Sequence, residues 1–189
     1  MFHGRRTELE PPHRVLVVGC PGGGIAALGQ AISERLRIPL IDMEEAYWRS
    51  GALPPSDPEW RARIGDWAAR EHWVMAGSAP ASLELLVGRA DWLVFVDLPM
   101  AVCLFRAVKN LTRRPIDVEG ARRPYMMLLR FIWSFPTSIT PQIHALIARE
   151  RRNRSIFILR NAQDREDFIA RVPTPGDMGT GSPGDPARK

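Results

Sequence analysis

Residues 15–26 read Val15-Leu16-Val17-Val18-Gly19-Cys20-Pro21-Gly22-Gly23-Gly24-Ile25-Ala26, and the fold follows from how this stretch is parsed. An unbroken apolar run rich in β-branched residues predicts a buried strand. It meets a glycine cluster, and beyond the cluster apolar residues recur at helical spacing from 25 to 36. The order is therefore strand, glycine loop, helix.

Moving outward, further strand-like runs occur at 38–41, at 72–75 (ended by Gly77), at 92–96 (ending at Asp97 and closed by Pro99) and at 155–159. A helical pattern over 59–70 follows the proline-rich break at 54–58, where Asp57 is a candidate N-cap. Another helix is predicted over 101–113, then an Arg/Pro-broken stretch over 113–124, an aromatic helix, and a short helix over 163–171. Unbroken apolar strands alternating with helices predict an α/β domain, a parallel sheet flanked by helices on both faces. There is no internal repeat.

At 189 residues the chain accommodates one well-buried domain, expected over 14–171. Residues 1–13 and 172–189 are polar or rich in proline and glycine and read as disordered tails. Cys20 and Cys103 are the only cysteines. With no CxxC or Cys/His cluster they argue against a zinc site or a secreted disulfide scaffold, and the expectation is a cytoplasmic protein without a metal site. Arg5 and Arg6 are not followed by the apolar run of a signal peptide. The longest apolar stretch, 125–135, is interrupted by Arg130 and spans about half of a bilayer crossing, so no membrane association is expected.

The formal net charge of +5 is uneven. Residues 1–99 sum to −3, residues 101–155 to +8 and residues 156–189 to zero. The basic segment suits phosphates or another polyanion, nucleic acid included, although a solvated arginine-rich helix face would look the same.

Gly19 and Gly24 have the spacing of the phosphate-binding loop G-x-x-x-x-G-K-[ST], in which backbone N–H groups wrap a phosphate, the lysine reaches the outer phosphates and the hydroxyl holds Mg²⁺. Ile25 stands at the lysine position and Ala26 at the hydroxyl position. A tight turn needing positive φ would account for the glycines equally well.

Over residues 14–171 the sequence resembles the bacterial DNA topology modulation protein family, small P-loop proteins similar to adenylate and shikimate kinases. Gly19, Pro21, Gly22 and Gly24 match its G-x-P-G-x-G-K-S loop. Pro39, Tyr47 and Trp48 match an L-P-h-h-x-L-D-x-x-Y-W stretch in which Glu44 stands at the Asp position, and Trp73, Val74 and Gly77 match W-V-I-x-G-N. Residues 90–99 match A-D-x-h-h-F-h-D-x-P, Arg106, Lys109, Arg113 and Arg114 match R-x-x-K-x-x-x-R-R, and residues 131–136 match an aromatic F-h-W-x-F-P run. The departures are polar positions: besides Ile25 and Ala26, Ala76 replaces an acidic residue, Ser78 an asparagine and Met100 a basic residue.

The resemblance implies a P-loop NTPase fold of the adenylate and shikimate kinase kind. It implies phosphate or nucleotide contacts from Gly19, Pro21, Gly22, Gly23, Gly24, Ile25 and Ala26, from Asp97 (the acid of the Mg²⁺ shell in related enzymes) and from the lid arginines Arg106, Arg113 and Arg114. Glu44 and Trp48 fall on the acceptor side. Without lysine and hydroxyl, ATP and Mg²⁺ use is expected to be weak or lost, with Ile25 placing a branched group where phosphates would sit. Three functions follow: a catalytically impaired nucleotide- or phosphate-binding protein, an active phosphotransferase with an arginine in the lysine's place, or a nucleic-acid binder using the basic segment. Trp73, Trp92 and Trp133 are expected in the core, Cys20 is expected to be a packing residue, and His72 and His144 are expected to lack partners.

Overall fold

The computed structural model describes residues 11–48, 57–78, 80–113 and 122–174. The expected tails at 1–10 and 175–189, the break at 49–56 and the Arg/Pro stretch at 114–121 lie outside these residues.

Five strands form one sheet: β1 (Arg14–Gly19), β2 (Leu40–Asp42), β3 (Trp73–Ala76), β4 (Trp92–Val96) and β5 (Ser155–Leu159), in the order β2-β3-β1-β4-β5. Every pairing is parallel, with Val15 opposite Val74 on one side and Trp92 on the other. The apolar runs are continuous because both faces are covered. Leu16, Val18, Trp73, Met75, Leu93 and Phe95 belong to one apolar cluster, while Val15, Val17, Val74, Ala76, Trp92, Val94 and Val96 belong to a second. This alternation is the period of two of a β-strand.

The second cluster is closed by α1 (Ile25–Leu36) and α8 (Ala162–Arg171), which contribute Ile25, Leu28, Ile32 and Phe168. The first is closed by α3 (Asp57–Ala68), α4 (Leu83–Val87), α5 (Met100–Arg113), α6 (Arg122–Ser138) and α7 (Thr140–Glu150). The remaining helix, α2 (Met43–Trp48), follows β2 directly. Because the strands are parallel, the loops leaving β1, β3 and β4 emerge at one edge, the edge where open α/β sheets hold ligands.

The structure corrects several sequence expectations. Helices α2, α4 and α7 were not foreseen, and α3 begins at Asp57, two residues before the predicted start. Trp73 and Trp92 are core residues, but Trp133 is 67% exposed. Ile132 and Phe135 take the inward face of α6, so position 133 turns outward alongside Met126. His13, assigned to the N-terminal tail, is anchored: its N–H donates to Asp91 Oδ2 at 2.8 Å, and its Nδ1 lies 2.8 Å from His72 Nε2, giving His72 a partner. At the other end Val172 is buried and its carbonyl accepts from Arg35 Nε. No helix among the described residues is long and apolar enough to cross a membrane.

Candidate functional site

β1 ends at Gly19 and α1 begins at Ile25, so the chain must reverse within five residues. Gly22 and Gly24 make this possible at φ 85° and 80°, the left-handed region that L side chains rarely adopt. A Cβ on Gly22 would also collide with the Cys103 carbonyl oxygen of α5. The turn is closed by Gly23 N–H donating to the Cys20 carbonyl at 2.9 Å. Gly24 caps α1 without a side-chain hydrogen bond, and no acidic residue stands in the first turn. The positive end of a twelve-residue helix is therefore left without an anionic partner from its own first turn.

Ile25 does not fill the phosphate position as the sequence suggested. It is buried in the apolar cluster with Val15, Val17 and Leu28, a placement that stabilises the fold by about 1.5–3 kcal/mol for a side chain of this size. Ala26 is exposed and carries no oxygen to offer a cation. The mouth of the loop is bounded instead by two guanidinium groups. A Cβ on Gly24 would lie 2.8 Å from Arg165 Nη1 and 3.9 Å from Arg106 Nη1. Burial, reinforced by the Arg106 charge, pushes the Arg165 pKa down. Arg106 was foreseen as a phosphate ligand. Arg165 was not singled out, because it lies without a motif in a charged stretch of a short predicted helix, beside Asp164, Glu166 and Asp167.

The side chains of Arg113 and Trp48 are outside the described part of α5 and α2, and Arg114 lies outside the described residues altogether. Asp97, at the end of β4, faces Arg160 Nε at 3.7 Å. Both line a cavity of about 360 Å³ beside the loop, together with Cys20, Met100, Phe135 and Thr140. Cys20 is buried and its thiol meets that of Cys103. That hydrogen bond, with burial, pushes the Cys20 thiol far up and keeps it protonated, as a packing role requires.

On the side of the cleft where the resemblance puts an acceptor, Asp42 Oδ1 accepts from the N–H groups of Glu44 and Glu45, both at 3.0 Å, and so caps α2. Glu44, in α2, is a partly buried carboxyl group. Burial and the nearby Asp42 charge raise its pKa to about 7, against a lowering hydrogen bond from the Ser78 N–H. Its Oε1 is fully buried with no hydrogen-bond partner among the described residues. Ser78 also donates from Oγ to the Gly19 carbonyl at 2.7 Å, linking Glu44 to the first glycine of the loop. This serine, a departure from the family pattern, connects the two halves of the cleft.

Part of the basic segment is engaged in structure. Arg149 bridges Glu84 at 3.3 Å and Glu150 at 3.1 Å, and Arg154 fastens the end of α7 to the carbonyls of Gly88 and Ala90.

No family model matches this sequence, and no curated protein matches it in sequence either. Among solved structures it is similar to shikimate kinase from Acinetobacter baumannii in complex with shikimate, with a TM-score of 0.52 and 19% identity over 84% of this chain and 90% of that one. A gluconokinase from Sinorhizobium meliloti 1021 gives a TM-score of 0.49 at 20% identity, covering 85% of this chain and 89% of its own. Shikimate kinase from Bacteroides thetaiotaomicron gives 0.49 at 16% identity, with 85% and 96% covered. The five-stranded parallel sheet, the loop after its central strand and the first of these likenesses establish a P-loop NTPase fold of the shikimate kinase kind.

Proposed function

We propose that this chain binds nucleotide or another phosphate ligand at the glycine loop and has lost ordinary magnesium-assisted phosphoryl transfer, a kinase-fold protein of the type its resemblance to topology modulation proteins implies. The observation that carries this reading is the mismatch within the loop. Its backbone keeps left-handed glycines and an uncapped helix start, while Ile25 is turned into the core and Ala26 has no hydroxyl. Phosphate fits such a cradle. Magnesium does not: the hydroxyl that would hold it is missing, and Asp97 faces Arg160.

Calorimetric titration with ATP, ADP and GTP, with and without Mg²⁺, tests the proposal. Binding that is indifferent to Mg²⁺ is expected. Tight Mg²⁺-dependent binding with turnover would refute the loss of catalysis, and the absence of any binding would leave a partner-binding protein.

A second reading, phosphoryl transfer with an arginine in the lysine's place, draws on Glu44. A carboxyl group with a pKa of about 7 at the acceptor side is suited to general base work near neutral pH. ATP turnover with a panel of hydroxylated acceptors, abolished by Glu44→Gln, would favour it. The nucleic-acid reading is weakened by the structural engagement of Arg149 and Arg154.

A further inference from the structure

We infer that Arg165 of α8 and Arg106 of α5 form a phosphate clamp over the glycine loop, supplying from two distant helices the positive charge that position 25 lacks. The inference rests on the proposed phosphate site and names the groups that would hold its ligand.

Three observations point to an anion. First, the two guanidinium groups converge on one point, the space a Cβ on Gly24 would occupy. Like charges repel, and the partial burial of Arg165 adds a desolvation cost, so an anion between or beside them would relieve both.

Second, the acids nearest in sequence to Arg165 are engaged elsewhere or turned to solvent. Asp164 Oδ2 accepts from the Arg160 N–H at 2.7 Å, Asp167 Oδ1 accepts from Gln163 Nε2 at 2.9 Å, and Glu166 is exposed. Neither Arg106 nor Arg165 has a carboxylate partner among the described residues.

Third, the position of Arg165 is fixed by packing. Asn161 caps α8 by accepting from Asp164 N–H, and Phe168, one turn beyond Arg165, is buried against the sheet. Residues three apart share a helix face, and side chains lean toward the helix N-terminus, so Arg165 is carried over the start of α1. A guanidinium fork stays charged even when its pKa is lowered, and it matches the geometry of phosphate oxygens.

The ligand class is a compound with two or more linked phosphates, such as a nucleoside diphosphate or an inorganic polyphosphate. The test is titration of the full chain with ADP, ATP and inorganic tripolyphosphate, without Mg²⁺, comparing the parent protein with Arg165→Gln, Arg165→Lys and Arg106→Gln. Arg165→Gln should weaken binding by about ten- to a hundredfold, with partial recovery in Arg165→Lys. Equal affinity for ATP and tripolyphosphate would show that phosphate alone is recognised, and tighter ATP binding that the base is read as well; the clamp stands in either case if Arg165→Gln loses affinity.

If the parent protein binds and Arg165→Gln binds equally well, the clamp is wrong and the phosphate site stands. If the parent protein binds none of the three, both fall. Labelling of the unmodified protein with phenylglyoxal, mapped by mass spectrometry, gives an answer free of folding effects. ADP should protect Arg106 and Arg165 and leave Arg151 and Arg152 reactive. Equal labelling of Arg165 with and without ADP would overturn the clamp.

Discussion

In the half of the cleft that the resemblance assigns to an acceptor, the polar side chains come from the ends of the strands or just beyond them. Asp42 closes β2, Glu44 is two residues on, and Ser78 follows β3 after Gly77. At the glycine loop, the proposed phosphate site, β1 and its loop contribute backbone only, and the charge comes from α5 and α8. The difference shows which part of a site is hard to relocate. A cradle of N–H groups depends on φ values that only a few positions can provide. A positive charge can be delivered by any long side chain whose helix passes nearby.

The largest effect should come from breaking the phosphate end alone. Gly22→Val introduces a branched Cβ at φ 85° against the Cys103 carbonyl, and strain plus overpacking should cost about 3 kcal/mol or more and abolish phosphate binding. Urea unfolding and calorimetry would measure the two losses. A folded variant with undiminished affinity would show that the loop shape is not what the ligand reads.

The acceptor end is broken by Glu44→Gln. Below the ordinary glutamate pKa the carboxyl is protonated in both folded and unfolded chains, so it costs nothing. As pH rises through 4.5 the unfolded chain ionises first, and the folded state is penalised increasingly until about pH 7, above which the penalty is constant. Glu44→Gln should therefore leave stability unchanged near pH 4 and raise it at pH 8 by about 3 kcal/mol. Denaturant midpoints at the two pH values decide the matter, and an equal shift at both would mean that Glu44 is not held neutral by the fold.

Restoring the usual loop sharpens the contrast. Ile25→Lys with Ala26→Ser should restore Mg²⁺-dependent ATP binding by about 1–3 kcal/mol per contact, tenfold to several hundredfold in affinity, at the cost of the packing Ile25 now provides. If the folded double variant gains no Mg²⁺-dependent affinity for ATP in a titration, the loop backbone is not a phosphate cradle. The smallest effect is expected at the joint between the two ends. Ser78→Ala removes one hydrogen bond to the Gly19 carbonyl, worth about 1 kcal/mol, and should lower stability by that amount while slightly weakening ligand binding.

The five strands and the glycine loop were legible because each is a local pattern: an apolar run, or glycines at fixed spacing. The helices between them were less so. Helix α7 carries Ile143, Leu146 and Ile147 at helical spacing, but Pro136 and Pro141 punctuate its approach and read as loop. Pro136 is nevertheless accommodated within α6, and Pro141 opens α7, where its missing N–H costs little. Trp133 was misplaced because an aromatic run does not reveal which of its members lies on the inner face. The fate of Ile25 and the approach of Arg165 were illegible for a stronger reason. Both depend on packing between elements far apart in sequence, and neither leaves a local trace.

The strand order has a consequence for how the protein is made. β1 is the central strand, yet its neighbour β3 is synthesised about 60 residues later, Arg14 pairing with Trp73, and β4 later still. At roughly 5–20 residues per second, Val15, Leu16, Val17 and Val18 spend about 3–12 s outside any sheet while translation continues. A buried strand of the finished domain thus faces water in the growing chain before its neighbours in the sheet exist, and binding by a chaperone would then compete with aggregation.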